Sequence, residues 1–126
     1  MLMAALHSRS EHINAVARII FINWAAALQM WLVLDGAALT VSYIVIDAIT
    51  AALFFRMSRG RWFPAPLCFM HGVLVIYHLA TLLNTGGLFW EKFVLNRFFD
   101  VEIVYVIACA LYRIIALKSA GKPRGA

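Results

Sequence analysis

Four ionisable side chains stand inside apolar runs of this chain: Asp47, His71, His78 and Glu102, with the phenol of Tyr105 one turn beyond the last. In a bilayer such groups are costly unless they have a partner or a task. A carboxylate beside an imidazole shares a proton, and Asp, Glu and His side chains in series across a span pass protons from group to group. The same residues also serve as interhelical clasps, because a neutral histidine bonded to a carboxylic acid or a phenol avoids most of the charge cost. The two roles separate on substitution: loss of a clasp unfolds the protein, whereas loss of a relay leaves it folded and inactive.

Other chemistries have less support. His71 and His78 lie seven residues apart, near one azimuth of a helix and ~10 Å from each other, so both would approach a haem from the same side. A b-type haem would need a histidine from a second copy or a partner, since His7 and His12 precede the first apolar run. A haem- or quinone-binding anchor subunit is therefore a third reading, and no cofactor is predicted. Cys68 and Cys109 sit in apolar runs without metal-ligand spacing and read as small packing residues. The chain has no G-x-S-x-G, no H-E-x-x-H and no Gly-rich phosphate loop. An aspartyl protease built on Asp47 would need a second aspartate at its depth, so no enzyme activity is expected.

The elements that position these groups are membrane spans. The chain of 126 residues is 64% hydrophobic and 13% charged, whereas soluble domains are roughly 45–50% apolar and about 25% charged. A net charge of +5 does not mark a nucleic-acid binder, because the 11 Lys and Arg lie between apolar runs rather than along one polar face. The apolar runs predict one all-α domain of four transmembrane helices, at about 15–34, 37–55, 65–84 and 101–117. Ser10 is a plausible N-cap before the first, Asp35-Gly36 a tight turn after it, and Pro64 and Pro66 fit the opening of the third. Asn84–Gly87 stops the third helix. Residues 88–99 alternate Trp90, Val94 and Phe98 with Lys92, Asn96 and Asp100, which predicts an amphipathic interfacial helix. The alternative is one long helix beginning near Leu88. Residues 118–126 form a short basic tail.

Within the spans Asn23, Gln29, Tyr43 and Thr50 are expected to pack against other helices, because an unpaired amide in hydrocarbon costs several kcal/mol. Thr40, Tyr43, Asp47 and Thr50 form one helical stripe. Trp31, Trp62, Trp90, Arg56, Arg59 and Arg61 suit the interfaces. Trp24 lies too deep for an anchor and is expected to pack.

Charge sets the orientation. With the N-terminus inside, Arg9, Arg18, Arg56, Arg59, Arg61, Arg113, Lys118, Lys122 and Arg124 are cytoplasmic and only Lys92 and Arg97 lie outside. Measured from the cytoplasmic end at ~1.5 Å per residue, Asp47 lies ~12 Å deep and His71 ~9 Å, while His78 and Glu102 lie at ~20–22 Å. This register predicts Asp47 beside His71, and His78 beside Glu102 or Tyr105.

The expected protein is a multi-pass protein of a bacterial-type inner membrane, with both termini cytoplasmic. The leading reading is a membrane protein that acts by assembly, either as an oligomeric pore (holin-like included) or as a subunit of a larger complex. Its partners would be the bilayer and a second copy or partner subunit. The competing reading is a proton-coupled carrier or channel using Asp47, His71, His78 and Glu102.

Overall fold

The computed structural model describes residues 1–7, 10–59, 62–83 and 88–120, the side chains of 4, 88–96 and 120 lying outside that description. Arg61, Asn84, residues 121–126 of the tail and the side chain of Trp90 are therefore outside the described residues. Five helices follow in order: α1 (Leu2–His7), α2 (Glu11–Val33), α3 (Gly36–Ser58), α4 (Ala65–Leu83) and α5 (Leu88–Ala120).

Local chemistry sets the ends. Ser10 is extended (φ −109°, ψ 111°), and its hydroxyl accepts the Ile13 N–H at 3.4 Å, capping α2. Asp35 is extended, and α3 starts on Gly36 at φ 53°, a left-handed conformation that glycine adopts without a Cβ penalty. Before α4 the Pro64 carbonyl accepts the Cys68 N–H at 3.0 Å, and Pro66 falls in the first turn, where its missing N–H breaks no bond.

Two facing stripes hold α3 and α4 together, the most extensive pairing in the fold. Thr40, Asp47, Thr50 and Phe54 form the buried stripe of α3; Leu67, His71, Leu74 and His78 form that of α4. The apolar core gathers at one end. Ile13, Val16, Ala17 and Ile20 of α2 meet Phe54, Leu67, and Val106 and Ala110 of α5, with Ala5 of α1 against them.

Helices α2, α3 and α4 are each long and apolar enough to cross a membrane. Only 17, 22 and 22% of their most apolar windows is buried inside the chain, so most of that surface needs an apolar partner, which a bilayer supplies.

Three expectations change. The interfacial helix at 88–99 and a separate span at 101–117 are replaced by one 33-residue helix. No Gly or Pro falls between 88 and 120, and at the expected break Arg97 pairs with Asp100 at 3.3 Å along the helix surface. Lys118 and Ser119, assigned to the tail, belong to the last turn of α5. Residues 2–7 form a helix the sequence did not announce. Six residues are too few to display a period, and α1 persists because Ala5 is buried in the core.

Candidate functional site

Each polar position of the cluster follows from a helix stripe. Asp47 and Thr50 are three residues apart on α3, and His71 and His78 are two turns apart on the facing side of α4. α2 brings Asn23 to the same level, and α5 brings Glu102. The four ionisable groups are nearly closed off from outside the chain, with 6% of Asp47, 1% of His71, 0% of His78 and 3% of Glu102 exposed.

Asp47 is the hub. Its Oδ1 lies 2.9 Å from His71 Nδ1 and accepts from Asn23 Nδ2 at 3.3 Å. Its Oδ2 lies 3.3 Å from His78 Nε2. The other ring nitrogen of His71, Nε2, is 3.2 Å from Glu102 Oε1, within ion-pair distance but without hydrogen-bond alignment. His71 therefore stands between two carboxylates, one on each ring nitrogen. An imidazole between two carboxylates can take up a proton on one nitrogen and release another from the opposite one. Asn23 also donates to Thr50 Oγ1 at 2.8 Å, and Thr50 passes its own hydrogen to the Ile46 carbonyl at 2.9 Å. That amide fixes Asp47 from the α2 side.

The surroundings differ on the two sides of the cluster. Toward the apolar core the Phe54 ring packs 5.6 Å from His71, centroid to centroid, and Leu67 and Val106 are wholly buried. On the other side a half-open cavity of about 310 Å³ reaches Asn23, Asp47 and Glu102. Its walls include Trp24, Trp31, Tyr43 and Phe99. Trp24 stacks on Phe99 across the α2–α5 seam at 6.1 Å, and the Tyr43 ring stands 5.3 Å from His78.

Register places Asp47 beside His71, and the structure brings these two together. It does not pair His78 with Glu102 or Tyr105: His78 turns to Asp47, and Glu102 turns to His71. The depth scale counts Glu102 back from a cytoplasmic end at Leu117. Tyr105 already lies against Phe63, just before α4, so that end sits beyond the start of α4 and Glu102 falls level with His71 instead of His78. Tyr105 leaves the cluster for the core end, where its hydroxyl donates to the Phe63 carbonyl at 2.7 Å and its ring stacks on Phe63 at 5.7 Å. Gln29 is exposed and takes no part in the polar network. Thr50 is buried and Tyr43 half-buried. Trp31, assigned to the interface, lines the cavity; Trp62, Arg56 and Arg59 are exposed, Arg59 lying 5.9 Å over the Phe55 ring.

Sequence reasoning missed the second carboxylate–histidine contact of Asp47 and the aromatic wall. The wall had a visible signal, since Trp24, Leu28 and Trp31 stand at i, i+4 and i+7 on α2. Among the described residues no group of three or more His, Cys, Asp and Glu side chains is arranged to hold a metal ion. Both histidines of α4 direct a ring nitrogen at Asp47, and neither lines the cavity. Compared with protein-family models, curated proteins and solved structures, the chain matches none.

Proposed function

We propose that this is a proton-linked membrane carrier or channel, with Asp47, His71, His78 and Glu102 as its proton site. In this reading it is a four-span protein of a bacterial-type inner membrane, α5 supplying the fourth span, with both termini cytoplasmic. The carrying observation is one histidine held between two carboxylates, sealed by the apolar core on one side and reached by a cavity on the other. A structural clasp needs the histidine and the carboxylates, but it needs no opening at Asp47 and Glu102. Protons enter through the cavity, equilibrate across His71, and leave when Phe54 and its neighbours part; an apolar plug of this kind favours stepwise transfer over an open pore. The positive charge at Arg18, Arg56, Arg59 and Arg113 lies toward the plugged end, which supports a cytoplasmic position for that end. Assembly as a pore or accessory subunit has no comparable feature behind it, since the exposed apolar faces are what contact with lipid itself requires.

The test is proton uptake by sealed vesicles carrying the full chain, driven by a potassium diffusion potential and read with a pH-sensitive dye. Uptake above that of empty vesicles is expected, falling about ten-fold or more in Asp47→Asn, with a trapped fluorescent solute retained throughout. Uptake no greater than in empty vesicles overturns the proposal. Release of the trapped solute replaces it with the pore.

A further inference from the structure

We infer that the cavity between α2, α3 and α5 is a binding site for a small organic cation carrying an aromatic or aliphatic group. The site shares its carboxylates with the proposed proton path, and in that sense rests on it, but binding itself requires no proton movement.

The lining selects the charge. Asp47 and Glu102 are the two charged groups among the described lining residues, and both are acidic; the histidines lie behind them and do not line the space. The two acids are not equally committed. Asp47 is already approached by Asn23, His71 and His78. Glu102 is buried, lines the cavity, and has no hydrogen-bond donor on Oε1 among the described residues, its contact there being the poorly aligned His71 ring. Oε1 faces His71 and is closed off, so it is the second carboxylate oxygen of Glu102, with no hydrogen bond from the described residues, that has capacity left for a ligand.

The walls select the kind of cation. Trp24, Trp31, Tyr43 and Phe99 offer aromatic faces, which attract a weakly hydrated organic ammonium and give little to a small metal ion that demands oxygen ligands. At about 310 Å³ the space matches the small end of ordinary ligand cavities. A neutral quinone suits it less well, because it brings no positive charge to meet Asp47 and Glu102.

Equilibrium dialysis of the full chain in lipid nanodiscs, with benzyltrimethylammonium as probe and benzyl alcohol as its uncharged counterpart, tests the site. Saturable binding of the cation near one per chain is expected, with weaker uptake of the alcohol. Glu102→Gln should weaken cation binding about ten-fold or more, and Trp24→Leu about five- to ten-fold. Trp62→Leu, at an exposed residue outside the cavity, should leave binding unchanged. If Glu102→Gln does not fold, Trp24→Leu and Trp31→Leu carry the test, since both side chains are partly exposed. Non-saturable uptake, equal binding of both probes, or affinity unmoved by the cavity variants overturns the inference. Proton uptake without cation binding removes this site and leaves the proton path; cation binding without proton uptake does the reverse.

Discussion

The two ends of the helical bundle share the helices α2 to α5 and solve opposite problems. At the core end Ile20, Phe54, Leu67 and Val106 bury almost all their surface against one another, and Tyr105 ties α5 to the start of α4. At the other end Trp24, Trp31 and Tyr43 stand apart around a space that no described residue fills. The ionisable cluster sits at the boundary. A protein that needed those groups only as clasps would gain by closing both ends, since a filled cavity adds dispersion contacts and removes the cost of a void. Closure at one end alone is what a group needs if it must be reached from one side at a time.

The largest test of this contrast is Phe54→Ala. It removes a fully buried ring from the plug, and truncations of this kind cost about 3–5 kcal/mol. The cavity is left intact, since Phe54 does not line it. The expected result is a large fall in the thermal midpoint in detergent, together with faster proton uptake in vesicles, because the barrier on the core side of His71 has gone. A destabilised protein whose proton uptake falls in parallel would show that the plug is not a barrier, and the contrast between the ends would lose its functional meaning.

The sequence made the helices legible wherever a breaker marked their ends. Asp35-Gly36 and Pro64-Pro66 placed the end of α2 and the starts of α3 and α4 to within a residue or two. Depth counting brought Asp47 to His71 because both distances start from the same loop, so errors in the absolute frame cancel. The same counting misplaced Glu102: α5 has no breaker to mark where it enters the membrane, so counting back from Leu117 set Glu102 level with His78, whereas the fold sets it against His71. Tyr105 moved with it, one turn along the same helix. Asn23 and Gln29 are both amides in one span, six residues apart and so on different faces, and only the fold tells which face meets α3. The cavity was not legible at all, because a void is a property of how helices fail to meet and no residue type encodes it.

A smaller effect separates the ends at their backbone. Gly36, in the turn at the cavity end, holds φ 53°, and a Cβ built there meets nothing within 4 Å. Gly36→Ala therefore adds no clash and tests conformation alone, at a cost of about 1–2 kcal/mol. A lowered thermal midpoint with unchanged proton uptake is expected. Lost uptake would make this turn a moving part of the cavity rather than a fixed joint.

The smallest predicted change is at the core end. Tyr105→Phe keeps the ring that stacks on Phe63 and deletes the hydroxyl that donates to the Phe63 carbonyl at 2.7 Å. The carbonyl left behind belongs to a residue before α4 that is only half-buried, so the loss should stay near the ordinary value for one hydrogen bond, about 1 kcal/mol. Sequence register had made Tyr105 a partner of His78, and that placement predicts that Tyr105→Phe impairs proton uptake. The structure puts the phenol outside the cluster and predicts a modest drop in midpoint, with uptake as in the parent chain. Measuring both quantities on this one variant therefore decides whether α5 meets α4 in the register described, with Glu102 against His71 and Tyr105 below them.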